Sequence, residues 1–168
     1  MPVLVADTSG LVSLGIAAGG SPDPLAICFD AYEVLIPETV FQELREVASY
    51  DDEHGQAADT VISRIDDVTT QSVTLDPGFP LDDGENAAVT LANDVDAELL
   101  LCDEFTRIGL VHASLSETRL ATTPTLLAVL VRRGKLTRTE ARRALDVIGT
   151  ARSWEGNSYV ERARDLLE

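Results

Sequence analysis

At 168 residues the chain fits one domain around one hydrophobic core, and 45% hydrophobic content with 5% aromatics suits an α/β protein rather than a disordered or fibrous one. No apolar run reaches the ~18 residues of a membrane span, and no basic stretch leads into an apolar segment near Met1, so a cytoplasmic protein with no membrane partner is expected. A net charge of −16 excludes a nucleic-acid binder that works through an overall positive field.

Val3–Ala6 reads as a buried strand that stops at Asp7, and Ser9 to about Ala18 as a helix broken by Gly19-Gly20 and Pro22/Pro24. A helical turn near Leu25–Ala31 leads to a strand at Glu33–Ile36, and Pro37 opens a helix to about Ser49. A more polar helix is expected over Asp51–Asp66, then a β-prone stretch over Val68–Leu75 and a loop at Asp76–Pro80. Asp82-Asp83-Gly84 starts a helix reaching about Val95, and Glu98–Cys102 is an apolar strand ending at Asp103. Helix follows to about His112, then a short strand at Leu120–Thr123 and helices at 124–133, 137–151 and 158–167. Strands alternating with helices predict a mainly parallel sheet covered on both faces, in one domain spanning 1–168. Its core lies at about 2–135, with a helical extension at about 136–168.

The charge is uneven. Residues 1–106 carry 22 acidic and 2 basic side chains, whereas residues 107–168 carry 7 acidic and 11 basic. One lysine (Lys135) against twelve arginines, with Asp in excess of Glu, favours a protein adapted to concentrated salt over a dedicated acidic docking surface. Arg132, Arg133, Lys135, Arg138, Arg142 and Arg143 form either a salt-bridged helical hairpin or a surface for phosphate or a partner. Cys28 and Cys102 lack CxxC spacing and read as two buried thiols, and His54 and His112 as surface residues, which leaves no zinc site.

Four acids stand apart from this background. In open α/β sheets, sites form beyond the carboxyl ends of the strands, and Asp7 and Asp103 each follow a strand directly. Either could instead cap the helix that follows. Glu43 falls on the margin of the apolar stripe Val40, Phe41, Leu44 and Val47, and Glu85 points the same way as Ala88 and Val89. A carboxylate aimed at a core needs a partner; Glu85 either reaches back to the amides near Asp82 or turns into a cleft. Four carboxylates gathered in one place repel one another, and a hard divalent cation, Mg²⁺ or Mn²⁺, removes that repulsion.

In this order the motifs resemble those of the PIN-domain nucleases. Asp7-Thr8-Ser9 resembles the family's opening motif, and Pro37-Glu-Thr-Val-Phe-Gln-Glu43-Leu44 its second-acid helix. Leu81-Asp-Asp-Gly84-Glu85-Asn-Ala-Ala88-Val89 resembles the third motif of one prokaryotic branch, and Leu100-Leu-Cys-Asp103-Glu104-Phe-Thr-Arg107 the fourth. Thr123 matches the Thr that heads the helix after the last strand in that branch. The resemblance covers about 2–135 and implies an α/β/α sandwich, Mg²⁺ or Mn²⁺ dependence, and cleavage of single-stranded RNA. It also implies a homodimer and, for toxin members of toxin–antitoxin pairs, an antitoxin partner.

On that resemblance Asp7, Glu43, Glu85 and Asp103 would be the catalytic, metal-binding acids. Asp82 and Asp83 stand near Glu85 as alternatives, and the tail beyond 135 is longer than in compact toxins. Thr8, Ser9, Asp83, Glu104, Arg107 and Thr123 would orient a water, a ligand or a phosphate oxygen. Arg107, Arg119 and the arginines from 132 to 143 would contact phosphate. A phosphatase of the haloacid-dehalogenase kind needs a second Asp two positions after the first, where Ser9 stands; a receiver domain needs a late-strand Lys, and the only Lys is Lys135. The remaining alternative is a catalytically silent PIN-like module that binds nucleic acid or a partner.

Overall fold

A computed structural model describes residues 1–168. Five strands, β1 (Val3–Ala6), β2 (Glu33–Pro37), β3 (Val68–Gln71), β4 (Leu99–Leu101) and β5 (Arg119–Ala121), form one parallel sheet in the order β3-β2-β1-β4-β5. The central strands β1, β2 and β4 are near-continuous apolar runs because both faces are covered, whereas the edge strand β3 is polar and largely exposed. Side chains alternate between two cores: Leu4, Ala6, Val34, Ile36, Leu99 and Leu101 enter the larger, and Val5, Leu35 and Leu100 the smaller.

Nine helices cover the sheet: α1 (Thr8–Ile16), α2 (Pro24–Ala31), α3 (Glu38–Ala48), α4 (Glu53–Ser63), α5 (Asp83–Asp94), α6 (Ile108–Ser114), α7 (Thr123–Arg132), α8 (Arg138–Arg152) and α9 (Ser158–Leu166). Helices α5 and α6 face the smaller core through Ala88, Val89, Leu91, Ala92 and Val111, and the others supply the larger. The result is the expected three-layer sandwich. No helix is long and apolar enough to cross a membrane.

Several elements differ from expectation, each for a local reason. The turn near Leu25 is a full helix, because Asp23 accepts from Ala26 N at 3.0 Å and Pro24 takes the first position. Helix α4 starts later than Asp51, because Asp52 caps it by accepting from Gly55 N at 2.7 Å. Strand β3 ends at Gln71, on a sheet edge where further residues have no second neighbour. After Asp103 the chain makes a 3-10 turn at Phe105–Arg107 before α6, since Glu104 sits at φ −81°, ψ 79°, outside the helical region.

The C-terminal helices pack onto the same core. Helix α8 lies on α1 and α7, and α9 on α7. A capping box opens α8: Thr137 N donates to Glu140 Oε1 at 2.9 Å, and Glu140 N to Thr137 Oγ1 at 3.1 Å. Half of the basic cluster goes into this packing. Arg138 donates to Glu168 O at 3.1 Å, Arg142 to Leu167 O, and Arg143 to Ser21 O at 3.0 Å, so two of them hold carbonyls at the end of the chain, just beyond α9.

Candidate active site

Strand order reverses at β1, which opens a crevice at the carboxyl ends of β1 and β4. There lies a cavity of about 420 Å³, lined by Asp7, Thr8, Ser9, Val12, Glu43, Val47, Tyr50, Asp52, His54, Asp82, Glu85, Glu104 and Arg152. Asp7 reaches it because its N–H donates to Leu101 O at 2.9 Å and continues the β1–β4 ladder one residue further. Its side chain makes no capping bond to α1. Oδ2 instead accepts from Ser9 Oγ at 3.2 Å and, weakly, from Cys102 Sγ at 3.5 Å. Burial, with a smaller push from Asp82, raises this carboxyl to about 6.

Glu43 projects from α3 beside the buried Val40 and Leu44. Its carboxyl leans on the start of α5, against Gly84 at a place where any Cβ would collide with Oε1. Glycine there leaves room for the Glu43 carboxyl in this position. Glu43 Oε1 is buried without a hydrogen-bond partner. Burial, then repulsion from Asp7, Asp82, Glu46 and Glu85, pushes Glu43 up to about 7.

Glu85 is 5% exposed and stands one residue inside α5 from Gly84. It does not cap its own helix: Asp82 does, accepting from Glu85 N at 2.9 Å. Glu85 Oε1 has the Arg107 guanidinium at 3.1 Å but lacks an aligned donor. Burial and then Asp82 raise it to about 7, with Arg107 opposing.

Asp103 is placed differently. Its Oδ1 accepts from Thr123 N and its Oδ2 from Thr123 Oγ1, both at 2.6 Å, so it holds the first turn of α7. It does not line the cavity; its neighbour Glu104 does. Burial raises the Asp103 carboxyl, and the two bonds from Thr123 oppose that rise. Its backbone reaches back to the rim, since Asp103 N donates to Ser9 Oγ at 2.9 Å. A chain Asp103–Ser9–Asp7 thus joins the two strand ends.

The family model for the PIN domain matches residues 3–168. The chain belongs to the PIN-domain family. PIN domains are generally nucleases, hydrolases that act on nucleic acid and typically use divalent metals. No curated protein matches the chain.

The donors of this PIN domain suit a hard cation. Asp7, Glu43 and Glu85 offer only oxygen, two of those oxygens are buried without a donor, and all three carboxyls are held above their ordinary range. Thr8 Oγ1, also buried and unpartnered, lines the same space. No three acids stand ready-made around one cation position. Glu85 lies against Arg107, and Asp103 is bonded to Thr123.

Other expected residues lie elsewhere. Asp83 is exposed and off the cavity, whereas Asp82 lines it. Arg119, Arg132 and Arg133 line a second cavity of about 760 Å³ with Asp96, Ala97 and Glu98, beside the chain entering β4, so they are far along the strands from Asp7. Arg138 and Arg142 are tied to the chain end. His54, expected on the surface, lines the acidic cavity. Tyr50, Asp52 and Arg152 were not foreseen, because they arrive from the α3–α4 connection and from α8. Arg152 had a legible signal. It continues the buried stripe Ala141, Ala144, Leu145 and Ile148 by one more turn.

Proposed function

We propose that the acidic cavity is the active centre of a divalent-metal-dependent endoribonuclease that hydrolyses RNA phosphodiester bonds. The observation that carries this reading is the gathering of buried carboxyl oxygens without an aligned hydrogen bond, on Glu43 and Glu85 beside Asp7, at the point where strand order reverses. Mg²⁺ or Mn²⁺ supplies the acidification of a water and the neutralisation of charge developing on phosphate oxygens.

Asp7, Glu43 and Glu85 would hold the cation. Asp103 has a positioning role: through Ser9 Oγ it fixes the Asp7 carboxylate, and through Thr123 it fixes the start of α7. Thr8 Oγ1 is free to orient a water or a phosphate oxygen. Arg107, with its guanidinium 3.1 Å from Glu85 Oε1, offsets part of the charge gathered at this end of the cavity. The enzyme works in the cytoplasm as a homodimer, and as a toxin it would be paired with an antitoxin protein.

Cleavage of a mixed single-stranded RNA pool with Mn²⁺, in moderate and in high salt, tests the reading. Wild-type protein should cut, and Asp7→Asn and Glu85→Gln should lower the rate at least a hundredfold. A wild-type protein that cuts nothing under these conditions supports the silent binding module instead. Growth arrest on induced expression separates the toxin role from other ribonuclease roles.

A further inference from the structure

Arg152 is the one arginine that lines the acidic cavity, entering from the last turn of α8. Residues 1–106 supply only two arginines and no lysine, and neither arginine lines this cavity. Its surroundings are unusual for a half-buried guanidinium. No carboxylate lies within ion-pair distance, and its one hydrogen bond is a long one, 3.4 Å, to Ser9 O. Arg107, by contrast, is committed to Glu85. A guanidinium has five N–H donors, and nearly all of those on Arg152 are unclaimed.

The backbone is arranged to hold it there. Directly after Arg152, Ser153 adopts φ 57°, ψ 48°, the left-handed region that non-glycine residues enter at a cost. That turn sends Trp154 inward, where its ring meets Phe105 edge-on at 5.5 Å, and Phe105 stacks on Tyr159 at 5.6 Å. Phe105 adjoins Glu104 and begins the turn that carries Arg107. One aromatic cluster therefore fixes Arg152, Glu104 and Arg107 together. Burial lowers the Arg152 value from its usual range, and Asp103 and Glu104 partly oppose that fall.

We propose that Arg152 binds a non-bridging phosphate oxygen of the RNA strand, so that the C-terminal helices complete the active site. The inference rests on the ribonuclease reading. Planar, weakly hydrated and always charged, guanidinium suits phosphate, and a carboxylate partner would have cancelled it. In a cavity with six acids in its lining, it is the one permanently charged cation available to offset the charge of the entering backbone.

The test measures binding of a labelled single-stranded RNA to the Asp7→Asn protein, with and without Arg152→Met, across a salt series. Thermal unfolding of each protein is followed in parallel, and cleavage is measured in the otherwise wild-type background. Arg152→Met should weaken binding roughly tenfold or more and flatten the dependence of log K on log salt by about 0.7, one phosphate contact on a single strand. Arg152→Lys should recover part of the affinity and all of the slope. Arg119→Met, which removes the same charge at the second cavity, should change neither. If Arg152→Met binds and cleaves like its parent while wild type cleaves RNA, the role of Arg152 is overturned and the ribonuclease reading stands. If wild type neither binds nor cleaves RNA, both fall.

Discussion

Asp103 and Thr123 are joined by two bonds of 2.6 Å, and both residues are buried. Replacing Thr123 with the isosteric valine keeps the N–H bond to Oδ1 and strips the donor from Oδ2. A buried carboxylate oxygen left without its donor costs about 1–3 kcal/mol, so chemical denaturation of Thr123→Val should give an unfolding free energy lower by that amount. Arg107 makes the opposite kind of contact, a close but misaligned approach to Glu85. Because Arg107 opposes the rise of the Glu85 carboxyl, Arg107→Ala should push that carboxyl above about 7, a shift that carboxyl NMR can follow. Of the four acids, Asp7, Glu43 and Glu85 were legible because strand ends and helix phase fix where a side chain points. The turning of Asp103 onto Thr123 was legible only as two separate motifs, since their meeting depends on β4 and β5 lying side by side.

The elements follow from period and punctuation. Apolar runs became the central strands β1, β2 and β4, and Pro37, Asp23, Asp52, Asp82 and Thr137 set helix starts. Boundaries missed by a few residues wherever a capping side chain, rather than hydrophobicity, decided them. Two junctions invite substitution. Gly84→Ala places a methyl group where the Glu43 carboxyl sits. It favours helix intrinsically, so α5 should persist by circular dichroism while Glu43 is displaced and RNA cleavage drops at least tenfold. Ser153 pays for its left-handed backbone at the end of α8. Ser153→Gly should raise stability by about 1 kcal/mol in denaturant unfolding, with Trp154 still packed on Phe105. What sequence could not convey is how α8 lies against α1, and that packing is what carries Arg152 into the cavity.

At the scale of the whole molecule, charge and stability are coupled through the cavity. Asp7 is raised from 3.8 to about 6, and Glu43 and Glu85 from 4.5 to about 7. A carboxyl whose folded value is raised binds its proton more tightly in the native state. Its contribution is complete below the unfolded value and is lost as pH climbs through the folded one. Metal-free protein should therefore lose stability between about pH 4 and pH 7, with Asp7 alone accounting for about 3 kcal/mol. A bound divalent cation should oppose that loss, so Tm measured with Mg²⁺ should exceed Tm in chelator by a margin that widens with pH. The acidic surface is a separate matter: at ~1 M salt the Debye length is ~3 Å, and distant carboxylates no longer repel RNA from the cleft.

Mn²⁺ uptake followed by electron paramagnetic resonance at pH 8 reaches the central claim most directly. Wild-type protein should take up Mn²⁺ and quench the signal of the free ion, and Asp7→Asn and Glu85→Gln should each weaken that uptake at least tenfold. Equal uptake by all three proteins, or none by wild type, would contradict a cation held among Asp7, Glu43 and Glu85.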